Sequence, residues 1–222
     1  MNGLTFDPLA HVYTLDGERL PSVTGLLKHG GLIDFSRIPL HVLAAAQHRG
    51  TAVHQAIAFY NENDLDVDDF CQRFPDFAGY LRAWITFCEQ RHFLPLVNEY
   101  RVVSRRHRVA GTLDTLGIMD GHAVLLDYAT GRPEDVCKNL QTAAYYGLAL
   151  ETSMEDRTLE KFFNSYPVVT RAAVALHRDG TFTVEAYREP TDYREFLALA
   201  AAFWVVAKHR PRAWRELAEV AA

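Results

Sequence analysis

Two apolar runs in this chain each end on an acid. VAGTLD closes on Asp114 and AVLLD closes on Asp127, with the turn-forming MDGH between them. Short runs rich in β-branched residues and separated by such a turn read as antiparallel neighbours. The turn then brings both acids to one edge of a sheet. A carboxylate on an apolar strand is costly unless a metal or a basic partner compensates its charge. Two of them on adjacent strands make a hard, oxygen-rich site suited to Mg²⁺ or Mn²⁺. Taken singly, each acid also reads as an ordinary turn former at a strand end.

The rest of the chain supplies a frame for that edge. LTFDPLAHVYTLDGERLPSV alternates polar and apolar residues about Asp16-Gly17, a hairpin signature. Pro21-Ser22 opens a short helix, VTGLLKHG, stopped at Gly30-Gly31. Helical spacing runs from about Pro39 to Tyr60 and again from Asp68 to Phe93. LVNEYRVV reads as a strand ahead of the two acidic ones. NLQTAAYYGLALE is an amphipathic helix, VVTRAAVALHRDGTFTVEAY a hairpin turning at Asp179-Gly180, and DYREFLALAAAFWVVAKHR a closing helix. This order predicts an α/β fold, a mixed β-sheet flanked by α-helices with a small N-terminal hairpin. One domain over 1–222 is expected, residues 1–93 forming the hairpin and a mainly helical portion and 94–222 the αβ core.

Composition narrows the class. With 222 residues, 49% hydrophobic and 23% charged, the chain is too apolar for a disordered polypeptide. A net charge of -5 argues against a passive polyanion binder, although local patches and bound ions leave a nucleic-acid enzyme open. Cys71, Cys88 and Cys137 are scattered, forming neither a disulfide framework nor a metal clamp, and three cysteines cannot hold a four-cysteine iron–sulfur cluster. The N-terminus lacks a signal-like stretch, so a soluble protein of the cytoplasm, away from membranes, is expected. NDLDVDDF fails the calcium-loop pattern and reads as an acidic solvated loop.

The motifs in order resemble the RecB-like branch of the PD-(D/E)xK nuclease superfamily, including the mitochondrial genome maintenance exonuclease group and its phage relatives. That branch has a helix with RGxxxH, a GxxD strand, a DxK strand followed by TG, and a QxxxY helix. Here stand Arg49-Gly50-Thr51-Ala52-Val53-His54, Gly111-Thr112-Leu113-Asp114, Asp127-Tyr128-Ala129-Thr130-Gly131, and Gln141 with Tyr145. The resemblance implies a restriction-endonuclease-like core and a Mg²⁺- or Mn²⁺-dependent DNA exonuclease of recombination, repair or replication, in a bacterial or phage-infected cell. It implies that Asp114, Asp127, His54 and the Tyr128 backbone carbonyl ligate one or two ions. Glu99 is a further candidate for a metal or water contact, with a salt bridge to Arg101 or Arg108 as its alternative.

One position departs from the pattern. Where the branch carries its DxK lysine, this chain has Ala129, and a methyl group can neither orient water nor stabilise charge on a phosphate. Loss of such a group costs on the order of 10²–10⁴ in rate, so this chain is expected to be inactive or impaired. Two explanations compete, a binding-only relative and an active enzyme whose lysine has been replaced, and the intact remaining motifs favour the second. Single-stranded or end-containing DNA is the expected partner, contacted by Arg49, Gln141 and Tyr145 and by Arg105, Arg106 and Arg108, with Arg132 beyond the active strand. For Tyr145 a core position among Ala144, Leu148 and Leu150 is the alternative, and SRRHR reads equally as a solvated turn. A non-catalytic DNA-binding protein on the same fold and a structure-selective endonuclease are the other function classes.

Overall fold

The computed structural model describes residues 3–131 and 137–210. Asp16 (φ 51°) and Gly17 (φ 85°) both take left-handed backbone, the turn geometry that matches strand twist, and close β2 (Val12–Leu15) on β3 (Glu18–Leu20). The expected hairpin gains a strand, β1 (Leu4–Asp7), making a three-stranded antiparallel sheet. Ser22 then caps α1 (Val23–His29) by accepting from the Gly25 amide.

α2 (Leu40–Asn61) is one long helix whose second half alone is buried, through Val53, Ala56 and Ile57. The single helix expected over Asp68–Phe93 is instead two, α3 (Val67–Arg73) and α4 (Pro75–Gln90). Pro75 causes the break: it lacks an amide hydrogen and its ring clashes with the preceding turn, so it serves as the first residue of a new helix. The acidic run expected as a loop is the start of α3, with Asp66 accepting from the Asp69 amide.

A five-stranded mixed sheet follows, in the order β4 (Leu94–Ser104), β5 (Val109–Met119), β6 (His122–Ala129), β7 (Thr170–Leu176), β8 (Phe182–Tyr187). Neighbours are antiparallel except β6 and β7, which run parallel. That parallel pair requires a crossover, supplied by α5 (Lys138–Thr152) and α6 (Arg157–Ser165). α6 lies outside the elements read from sequence; Asp156 caps it, and Leu159 and Phe162 bury its apolar stripe. α7 (Asp192–His209) packs on α5.

Side chains alternate across β6 and divide the core. Val124, Leu126 and Tyr128 join Val53, Ile57, Leu81, Trp84 and Phe87 from α2 and α4. Leu125 joins Leu26, Tyr145, Leu148 and Phe196 from α1, α5 and α7. Asp127, two residues beyond Leu125, shares the second face. Among the described residues no helix is long and apolar enough to cross a membrane.

A polar chain fixes α2 against the sheet. The Trp84 indole donates to Asn61 (2.9 Å), Asn61 donates to Asn98 on β4 (2.9 Å), and Thr115 on β5 donates to the same Asn98 oxygen (3.0 Å). Replacing Asn98 by Leu strands both donors. Urea denaturation of Asn98→Leu is expected to show a loss of about 1–3 kcal/mol, whereas an unchanged midpoint would mean that solvent satisfies these groups.

Candidate metal centre

Asp114 occupies the centre of the site because of the register on both sides of β5. The pairs Asn98↔Thr115 and Tyr100↔Leu113 bracket Glu99 and Asp114 across β4–β5. Continuing the β5–β6 register one step past Thr115↔Leu126 sets Asp114 against Asp127. Three acids therefore stand in one row across three strands. The Asp114 carboxylate closes the gap to β6, its Oδ2 accepting from the Tyr128 amide at 2.8 Å.

His54 arrives from the buried half of α2. Its Nε2 is 3.0 Å from the Tyr128 carbonyl, and its ring packs on the Tyr128 ring at 4.5 Å between centroids. With Nε2–H donating to that carbonyl, Nδ1 keeps a lone pair, the arrangement that orients a metal-binding histidine. Nδ1 lies 3.5 Å from Glu99 Oε1 and 3.7 Å from Asp114 Oδ1. One ligand atom each from His54, Glu99 and Asp114 fall within 4.8 Å of one another, so these three residues could hold a metal ion. An imidazole with two carboxylates is a donor set that divalent ions accept.

Glu99 is thus a full member of the group, and its partners are His54 and the Tyr128 hydroxyl, which donates to Oε1 at 3.1 Å. Its backbone is left-handed (φ 44°), and among the described residues it is the one non-glycine with positive φ inside a strand. Such strain costs on the order of 1 kcal/mol and gathers at functional positions.

Asp127 lies outside the three-residue group. It is 2% exposed, and its Oδ2 is bound by the Lys138 ammonium at the start of α5. Sequence reading passed over Lys138, because a lysine in the first turn of an amphipathic helix looks like an ordinary solvated residue. Its one signal is position: it is the first described cation after Ala129, where the pattern that the sequence resembles has a lysine. Ala129 ends β6 two residues past Asp127, on the same face.

The proton balance follows from this crowding. Burial opposes a charge on His54, but Asp114, Glu99 and Asp127 outweigh it and raise the imidazole to about 9. Burial, then the Asp127 charge, push Asp114 upward against the pull of His54 and Lys138. The Tyr128 phenol is held neutral by burial and by the same acids.

The residues expected to meet DNA are dispersed. Arg49 is closest to the strand end, its Nε donating to Thr130 at 3.2 Å with its guanidinium over the Tyr80 ring. Gln141 and Tyr145 are buried, Gln141 donating to the Tyr145 hydroxyl at 3.3 Å. Tyr145 packs against Gly111, where an added Cβ would come within 2.7 Å of the ring, which explains the glycine of GTLD. Arg105 pairs with Asp16 and Glu155, and Arg108 with Glu18 and the face of Trp204. Arg106 lines a surface cavity with Arg108, Trp204 and Lys208. Arg132 lies outside the described residues. No protein-family model matches the chain, and no curated protein matches it.

A raised imidazole contributes stability that is complete below the unfolded value near 6.5 and lost as pH climbs through about 9. A bound cation replaces that proton, so its binding releases protons and tightens as pH rises. Between pH 6.5 and 9 the metal-free protein is therefore expected to melt progressively lower while the Mn²⁺ dissociation constant falls. His54→Ala is expected to weaken Mn²⁺ binding by at least about tenfold and to reduce the slope of both profiles, Asp114 supplying the slope that remains. Calorimetry across that range checks this, and pH-independent binding would contradict it.

Proposed function

We propose that this protein is a divalent-metal-dependent DNA nuclease built on a restriction-endonuclease-like core, related to the RecB-like branch. The observation that carries the reading is the position of Asp114, held by the Tyr128 amide within ligand distance of His54 and Glu99 and opposite Asp127. The mixed sheet with helices on both faces, and the carboxylates at adjoining strands, support it further.

In this reading His54, Glu99 and Asp114 hold Mg²⁺ or Mn²⁺, with Asp127 and the Tyr128 carbonyl adjoining. A bound ion would polarise the scissile phosphate and lower the pKa of a coordinated water. The chain's own part is positional. The Tyr128 amide aims Asp114, the Asn61–Asn98 contact seats α2 so that His54 meets Glu99, and the strand end leaves Glu99 and His54 open on one side. Arg49, on the same helix as His54 and bonded to Thr130 just past the end of β6, is the best placed of the expected DNA contacts. Tyr145 packs against Gly111 of β5, and Gln141 donates to its hydroxyl.

A second reading, DNA binding without cleavage, is favoured by Ala129 alone. Incubation with Mn²⁺ and linear single-stranded, linear duplex and covalently closed circular DNA separates the two. Nucleotide release from linear DNA, its abolition by chelation or by Asp114→Asn, and an intact closed circle are expected. Nicking of the circle would make the enzyme an endonuclease. Binding without cleavage in either Mn²⁺ or Mg²⁺, by this chain and by Ala129→Lys alike, would establish the second reading.

A further inference from the structure

We propose that Lys138 supplies, from the first turn of α5, the ammonium group that position 129 lacks. The inference rests on the nuclease reading and names a catalytic residue for it. A side chain at 129 would project on the face of Asp127, because residues two apart on a strand point the same way. That place is taken from across the interior: Lys138 is 8% exposed, and its Nζ sits on Asp127 Oδ2. Lysines are almost never buried to this degree without a dedicated partner.

The helix that delivers Lys138 is pinned at the adjacent residue. The Asn139 carbonyl accepts from Arg171 Nη1 at 2.8 Å, and its side chain donates to Asp192 at 3.0 Å. Arg171 and Asp192 themselves form a buried ion pair at 2.8 Å. One turn on, the Thr142 hydroxyl donates to the Lys138 carbonyl at 2.7 Å. The ammonium is therefore presented by rigid backbone rather than by a loop, which is what a group acting on a phosphate requires.

The step balances without any redox partner. Water forms one P–O bond, one ester P–O bond breaks, a proton from the water passes to solvent, and the departing oxygen takes one up. Lys138 makes and breaks no covalent bond. It donates hydrogen bonds to the phosphate oxygens as their charge grows, a contribution whose removal costs on the order of 10²–10³ in rate.

The test compares the unaltered chain with K138M, A129K and A129K/K138M. Mn²⁺-dependent hydrolysis of linear DNA gives kcat and KM, and Mn²⁺ titration and thermal melting are followed alongside. The expected result is a fall in kcat of on the order of 10²-fold in K138M, with KM and the Mn²⁺ midpoint little changed, and recovery of most of that loss in A129K/K138M. If K138M does not fold, the double variant decides: activity near that of the unaltered chain supports the proposal, and a folded but inactive double variant overturns it. Unchanged kcat in K138M overturns it while leaving the nuclease intact. So does a K138M defect confined to melting and Mn²⁺ binding, which would make Lys138 a counter-ion only. Activity in A129K with none in the unaltered chain has the same meaning. Inactivity of all four chains removes both the proposal and the reading on which it rests.

Discussion

The hydrogen bond from the Tyr128 amide to Asp114 holds the site together. It uses a backbone donor of β6 to fix a side chain of β5, so the carboxylate cannot turn away without exposing an unpaired amide. Everything else is referred to that oxygen pair. Oδ2 faces the strand and Oδ1 faces His54, whose other nitrogen returns to the carbonyl of the same Tyr128. One residue of β6 thereby orients both an acid and an imidazole through its main chain, and Glu99 through its hydroxyl.

Much of this was legible in sequence because it depends on alternation and turns. The β5–β6 pair, the acids facing each other across it, the α/β order and the closing helix all follow from local pattern. Pro75 was equally readable as a helix start, but Phe70 and Phe74 ahead of it keep helical spacing with Phe77, Leu81 and Trp84 behind it, which hides the break. Glu99 was harder: its left-handed backbone arises from tertiary constraint, and propensity gives no hint of a glutamate there. Lys138 was invisible for a related reason. Its partner is separated from it by a strand end, the residues after Gly131 and a helix cap, and periodicity carries no information about that distance.

The arginines show the opposite limit. SRRHR is a concentrated positive run, yet Arg105 and Arg108 reach the acids of the N-terminal sheet and tie its turn to that of β4–β5. A charge count by position cannot tell a tether from a contact for phosphate. The same holds for Gln141 and Tyr145, whose spacing puts them on one helix face without saying that the face is turned inward.

The backbone of Glu99 sets a conflict between folding and function. A chain tuned only to fold would place glycine or asparagine there, relieving the left-handed geometry at no cost to the neighbouring strand pairs. A glutamate keeps its carboxylate beside His54 at the expense of backbone ease, so the position exchanges thermostability against a three-residue group that could hold a cation. Selection for heat resistance alone would erode the site here first.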